Sequence, residues 1–340
     1  MASTQMLHPF AAGVSPDVER ARIHGLQWAR DTGMTGSDRA VEYYRSVRLA
    51  EFGAMFYPYA EGEDIELASD AMTFYFLFDD QFDGEVGKSP RNVARVIDDL
   101  AGIIAGRHRR QEGAATSYPV YRAFLDLWRR MCEGMDADWC ARSAQNWLDY
   151  LYGHVAEAVD RENGNTLTFD EYLVRRRATI GAYSSMDLIE RLGHFTVPRC
   201  AFESTHVRTM RLLCCEFMLG CNDIHSFEKE KAHGERNNLV IDLARQYALT
   251  DAQALERARS WVRYRADAFV RCEARIPELC RALGFSGEET QAVDQYVLAL
   301  EYAMSGYNDW GNTTPRYTGD PSPGAALAYL EDLAPVPAHS

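Results

Sequence analysis

Met72-Thr73-Phe74-Tyr75-Phe76-Leu77-Phe78-Asp79-Asp80-Gln81-Phe82-Asp83 changes character abruptly: an apolar, aromatic segment ends in three carboxylates. On a helix, Asp79 and Asp83 lie one turn apart on one face, and Asp80 sits about 100° round. Carboxylates this close repel one another unless a cation is present, and hard oxygen ligands with room for water suit Mg²⁺. As a plain solvated helix end the motif is badly placed, because aspartate near a C-terminus opposes the helix dipole. Phe74, Tyr75, Phe76 and Phe78 are core residues by default, with some of them candidates for lining a cavity beside the metal.

Outward from this segment the apolar periodicity is helical nearly throughout. Start signals recur. Ser37 precedes a run to about Tyr57, and Ser89-Pro90 puts a cap before a first-turn proline. Thr168-Phe169-Asp170-Glu171 reads as a capping box, and Thr250 and Ser286 precede long patterned segments. No alternating β-branched series competes, so the chain reads as all-α, with roughly ten to twelve helices in one large bundle and no linker. Residues 1–16 read as an irregular arm and 17–314 as the helical domain. Residues 315–340, where Pro and Gly return, read as a loop followed by a short helix near 325–333.

The 340 residues carry 50 acidic and 36 basic side chains, a formal charge of −14, which argues against nucleic acid or an anionic membrane as the main partner. An acidic protein that binds a polyanion needs divalent metal and local basic groups. The eight cysteines form no CxxC pair and no zinc spacing, and read as reduced thiols. With no signal pattern and no apolar run long enough to span a bilayer, the expectation is a soluble cytoplasmic protein without membrane insertion.

A second stripe lies far along the chain. In Asn222-Asp223-Ile224-His225-Ser226-Phe227-Glu228-Lys229-Glu230, the oxygens of Asn222, Ser226 and Glu230 recur every fourth residue and share one helical face. An amide, a hydroxyl and a carboxylate make a hard chelate of modest charge, with Lys229 beside it to meet a phosphate oxygen. His225, alone and without partners, is read as an ordinary surface or core residue.

Asp79-Asp80-x-x-Asp83 together with Asn222-Asp223-x-x-Ser226-x-x-Lys229-Glu230 resembles the metal motifs of bacterial class I terpene synthases, and the resemblance covers most of the chain. It extends to Phe56-Tyr57-Pro58, to Tyr172-Leu173 with Arg176-Arg177 and Thr179-Ile180-Gly181, and to Asn237-Asn238. It implies a helical bundle with a cavity inside. It further implies Asp79, Asp80, Asp83, Asn222, Ser226 and Glu230 as the metal set for three Mg²⁺ ions, with Mn²⁺ as a substitute. Asp79 is the foremost ligand of its motif, while Asp80 and Asp83 act mainly by hydrogen bonding and placement. Three consecutive arginines cannot all face inward. The resemblance selects Arg176, 46 residues before Asn222, as the pyrophosphate sensor, and leaves Arg175 and Arg177 solvated. It also implies a helix break at which Thr179 is the linker and Ile180 the carbonyl donor, with Gly181 the alternative donor. Arg316-Tyr317, on a Pro-bounded loop after Trp310, resembles the family's terminal Arg-Tyr pair.

The activity so implied is Mg²⁺-dependent ionisation of an isoprenoid pyrophosphate, farnesyl (C15) first, and cyclisation of the cation to a sesquiterpene hydrocarbon or alcohol. Arg176, Lys229, Arg316 and Tyr317 would meet the leaving pyrophosphate. Phe76, Tyr75 and Trp310 would offer aromatic faces to the cation, each worth roughly 0.5–2 kcal/mol. A homodimer is a further expectation from the family. The rivals are a diterpene cyclase, a non-catalytic helical isoprenoid-binding module, and a chain-elongating transferase. The last wants a second DDxxD motif, and Asp98-Asp99 lacks the third aspartate.

Overall fold

The structure is a computed structural model. It describes residues 9–107, 118–232, 234–318 and 333–334, the side chains of Asp83 and Thr318 aside. Among these there are sixteen α-helices and no strand. In chain order they are α1 (Val18–Asp31), α2 (Asp38–Val47), α3 (Leu49–Phe56), α4 (Gly62–Asp79), α5 (Pro90–Ile104), α6 (Pro119–Cys132), α7 (Ala137–Asn163) and α8 (Phe169–Thr179). Then come α9 (Ala182–Gly193), α10 (Arg199–Phe202), α11 (Thr205–Ala232), α12 (Leu239–Tyr247), α13 (Asp251–Glu273), α14 (Ile276–Leu283), α15 (Gly287–Thr313) and α16 (Pro315–Thr318).

The count exceeds the ten to twelve expected because two periodic runs are broken and because α10 and α16 are four-residue turns. The run from Ser37 splits where Arg48 turns left-handed at φ 60°. The run after Thr168 splits at Gly181, at φ 70°. The starts follow local chemistry. Thr168 with Glu171, Thr250 with Gln253, and Ser286 with Glu289 form reciprocal capping boxes, and an N-cap of this kind contributes ~1 kcal/mol. Ser89 makes no side-chain cap, and α5 begins on the preset φ of Pro90.

The long helices stack so that α3, α4, α7, α9, α11 and α15 surround a central space. Outside them α1 packs on α3 and α4, α6 on α4, α5 on α7, and α13 on α11. α4 is buried on nearly every face from Ile65 to Phe78, which is why it is apolar all round rather than along one stripe. The described part of the arm before α1, residues 9–17, lies across the far end. Phe10 packs edge-on against Phe217 and Phe269, Ala11 N donates to Glu301 Oε2 at 3.0 Å, and Ser305 Oγ donates to Ala11 O.

Arg316 and Tyr317, expected on a loop, stand on the single helical turn α16. Thr314 Oγ1 anchors it by donating to Val47 O at 2.9 Å and accepting from Arg316 N. The helix expected near 325–333 lies outside the described residues but for Leu333. All eight cysteines are free thiols. No described helix is long and apolar enough to cross a membrane.

Candidate active site

The central space is a cavity of about 690 Å³, within the ~300–1,000 Å³ usual for small-molecule sites. At one side of its mouth α4 ends. Asp79 is exposed there and lines the cavity. Asp80, a third of a turn on, faces away. It is buried and held by Arg316, Nη2 to Oδ1 at 2.6 Å and Nη1 to Oδ2 at 2.9 Å, and it accepts from Tyr43 Oη at 3.1 Å. Burial alone would raise its pKa, but the Arg316 guanidinium outweighs burial and holds the carboxyl below its usual range. As a metal ligand Asp80 is therefore displaced by an ion pair in this conformation. Asp83 lies in the 3₁₀ turn that follows, and its side chain is outside the described residues. Gln81 does not line the cavity; it is buried, and its Oε1 accepts from Leu333 N at 3.0 Å. Arg161 of α7 donates to Phe82 O at 3.1 Å and fastens the turn from the other side.

Across the mouth α11 presents Asn222, Ser226, Lys229 and Glu230 to the same cavity. Asn222 Oδ1 accepts from Arg176 at 2.5 Å, and its Nδ2 donates to Tyr307 Oη and Tyr317 Oη, each at 2.9 Å. Ser226 Oγ is buried near the Glu230 carboxylate yet makes no aligned hydrogen bond. Burial and the charge of Asp223 raise the Glu230 carboxyl above its usual range, against the pull of Arg176. Asp223 itself points inward to the protein. It accepts from Leu239 N at 2.7 Å, from Arg176 Nε at 3.1 Å and from Tyr172 Oη. It is the anchor for Arg176, a role the sequence reading did not give it.

Of the three arginines one faces the cavity, Arg176. The other two are not simply solvated: Arg175 pairs with Asp160 at 2.8 Å and Arg177 with Glu216, its Nε 3.0 Å away. Each neighbouring helix supplies a carboxylate, so the run ties α8 to α7 and α11. Thr179 and Ile180 line the cavity at the helix break. The Gly181 carbonyl accepts from Ser184 Oγ, Ser185 Oγ and Ser185 N. The donors around the break are thus spent on Gly181 and not on Ile180, which favours Ile180 as the carbonyl turned to a ligand. Gly181 also packs under Tyr75: a Cβ there would lie 3.2 Å from that ring.

Phe52, Phe56, Met72, Tyr75, Phe76, Met218 and Tyr307 form the apolar wall. Tyr75 lies flat on Trp147, centroids 4.9 Å apart. Trp310 is not on the wall. It is buried behind it, stacked on Phe52 at 4.5 Å and edge-on to Phe76 at 5.0 Å, and its Nε1 donates to Val47 O and Arg48 O. The cavity face it was expected to supply belongs instead to Phe52 and Phe76, which it backs. Tyr150, His154 and Glu157 of α7 also line the cavity. Nothing in the pattern of that long helix marked them.

A family model for terpene synthase family 2, C-terminal metal binding, matches residues 70–267. The chain belongs to the terpene synthase family. The synthase is 36% identical to pentalenene synthase of Streptomyces avermitilis over 96% of both chains. It is 38% identical to a (−)-β-caryophyllene synthase of Saccharothrix espanaensis, over 96% of this chain and 92% of that one. The crystal structure of linalool/nerolidol synthase from Streptomyces clavuligerus in complex with 2-fluorogeranyl diphosphate superposes with a TM-score of 0.81 at 34% identity. It covers 91% of the synthase and 99% of that chain. The synthase is thus an enzyme, a carbon–oxygen lyase of the class I terpene cyclase type.

Among the described residues no three His, Cys, Asp or Glu side chains gather to hold a metal. The oxygens are instead divided between α4 and α11, as suits a hard cation that keeps waters and shares ligands with a phosphate. The orphaned Ser226 Oγ and the raised Glu230 carboxyl both fit a cation between Asn222, Ser226 and Glu230, since Arg176 and the Asn238 amide, 2.9 Å from Glu230 Oε2, do not offset burial and the charge of Asp223.

Proposed function

We propose that this synthase ionises farnesyl pyrophosphate in a Mg²⁺-dependent step and cyclises the resulting cation to a sesquiterpene hydrocarbon or alcohol. The observation that carries the reading is the opposition of Asp79 to Asn222, Ser226 and Glu230 across the mouth of one aromatic chamber. Bound Mg²⁺, three ions by the family resemblance with Mn²⁺ as substitute, would supply charge neutralisation at the leaving pyrophosphate.

The chain's own groups have separable tasks. Asp79 on one wall and Asn222, Ser226 and Glu230 on the other would hold the metal set, with Asp83 as a further candidate on the first wall. Arg176, Lys229, Arg316 and Tyr317 line the same mouth and donate to phosphate oxygens, Arg176 as the sensor. Ile180 offers a carbonyl dipole at the break, with Thr179 as linker. Phe52, Phe76 and Tyr75 stabilise positive charge and exclude water. The farnesyl preference draws support from the caryophyllene synthase, whose name specifies cyclisation of (2E,6E)-farnesyl diphosphate. The eight free thiols suit a reducing cytoplasm. A homodimer completes the reading, testable by sedimentation at micromolar concentration, where a monomer would refute it.

Incubation with Mg²⁺ and C10, C15, C20 or C25 pyrophosphate, singly, followed by mass spectrometry of the extract, tests the proposal. A C15 hydrocarbon or alcohol is expected. Turnover confined to C20 would replace it with a diterpene cyclase, and product only on adding isopentenyl pyrophosphate would mean elongation. A folded protein inert to all four would be a binding module.

A further inference from the structure

We infer that Glu157, which belongs to neither metal motif, is a positioning residue that sets the helix break from α7 through Thr179. Gly153 and Glu157 stand one turn apart on α7, on the face toward the end of α8. Thr179 sits between them. Its methyl lies so close to Gly153 that a Cβ at that position would come within 2.6 Å of Thr179 Cγ2. Its hydroxyl donates to Glu157 Oε1 at 2.6 Å. Thr179 is buried, whereas Glu157 is partly exposed to the cavity.

The two contacts act on one β-branched residue. A threonine whose methyl and hydroxyl are both engaged is confined to a single χ1 rotamer, so its backbone is fixed from outside its own helix. That matters at this place because the last carbonyls of a helix have no partners within it. Beyond Thr179 the chain is free to turn only at Gly181, whose carbonyl the two serines hold. The Ile180–Gly181 peptide between these two anchors is therefore clamped on one side by α7, through Thr179, and on the other by α9. The direction of the Ile180 carbonyl is set from the Gly153–Glu157 cradle, and with it the dipole that a cation in the cavity meets. His154 Nδ1, 3.7 Å from Glu157 Oε2, backs the carboxylate from the apolar side. The inference rests on the cyclase reading for its product readout only.

The test compares wild type with Thr179→Val, Thr179→Ser, Glu157→Leu, Gly153→Ala and the Thr179→Val/Glu157→Leu double variant. The probe is farnesyl pyrophosphate with Mg²⁺. Thr179→Val and Glu157→Leu are each expected to lower kcat about tenfold with KM within about twofold, and to change the major-to-minor product ratio at least about threefold. Thr179→Ser, which keeps the hydroxyl, recovers most of the wild-type ratio. Gly153→Ala shifts the ratio in the same direction, and the double variant is no worse than either single one, as for two halves of one contact. Amide hydrogen exchange in the ligand-free protein supplies a readout independent of turnover: residues 180–185 exchange faster in Thr179→Val and Glu157→Leu and not in Thr179→Ser. A Thr179→Val protein with the wild-type ratio and exchange, or strictly additive effects in the double variant, overturns the inference. A wild type that turns over nothing while the exchange pattern holds would instead overturn the cyclase reading.

Discussion

Arg176 Nη2 lies 2.5 Å from Asn222 Oδ1, so the amide oxygen proposed for a metal already accepts from a guanidinium. Two cations on one oxygen repel, and the buried position weakens screening between them. A metal held by Asn222 would therefore favour release of Arg176, which could then turn toward a pyrophosphate. Arg176→Gln is expected to lower kcat/KM by roughly 10²–10³. Mn²⁺ affinity without substrate, read by electron paramagnetic resonance, should hold or rise; a marked fall would contradict the competition.

Removal of the metal, or of its amide ligand, should silence the enzyme without unfolding it. EDTA is expected to abolish turnover, Mg²⁺ to restore it, and the helical circular dichroism to stay unchanged throughout. Asn222→Leu should lose activity at least about a hundredfold, since electrostatic stabilisation by a bound metal is worth several kcal/mol. Unimpaired turnover by that variant would remove Asn222 from the metal set.

Trp310 predicts a stability effect. Trp310→Ala empties a fully buried site behind Phe52 and Phe76 and takes one donor from the carbonyls of Val47 and Arg48, which keep Thr314 Oγ1 and Phe52 N respectively. A cost of about 3–5 kcal/mol follows, visible as a lower urea midpoint. The product ratio should move too, because the wall loses its backing. A midpoint near that of wild type would mean that the site collapses without penalty.

Acid stability should depend on His154. Burial pushes its imidazole down to about 4, against about 6.5 in an unfolded chain. Arg176 and Arg161 push the same way and Glu157 opposes. Between the two values the unfolded chain binds the extra proton, so this contribution is full above about pH 6.5 and is lost as pH falls toward 4. It amounts to roughly 3 kcal/mol. His154→Phe keeps a ring against Phe82, which the imidazole stacks on at 4.6 Å. The wild-type urea midpoint should fall more than that of the variant between about pH 7.5 and 4.5; parallel falls would refute the assignment.

Much of this was readable from the chain, and what escaped did so for identifiable reasons. The Asn222, Ser226 and Glu230 stripe needs only helical spacing, and α11 keeps that spacing unbroken. The Asp79–Asp80 pair is different. Which carboxylate faces the cavity depends on Arg316, 236 residues away, and no local pattern carries that. Trp310 offered the same difficulty in reverse, because an aromatic residue on a cavity wall and one just behind it look alike in sequence. Three consecutive arginines implied one inward side chain, but the carboxylates that hold the other two belong to α7 and α11. His154 and Glu157 lie on a long helix whose pattern is that of any amphipathic helix, and only the approach of Thr179 gives them meaning. The break itself was flagged by glycine, whereas the choice of carbonyl rested on two serine hydroxyls that spacing alone does not aim.

The arm before α1 has a consequence for how the chain is made. Ala11 N finds its acceptor on Glu301, 290 residues later. A ribosome delivers the arm long before α15, so while the helices between them emerge Phe10 has no Phe269 to rest on. The far end of the bundle can be sealed only once α15 has emerged. Contacts of such long range are slow to form, and the nascent protein must carry an exposed apolar end until they do, which makes this seam the place where a holding chaperone would earliest be needed.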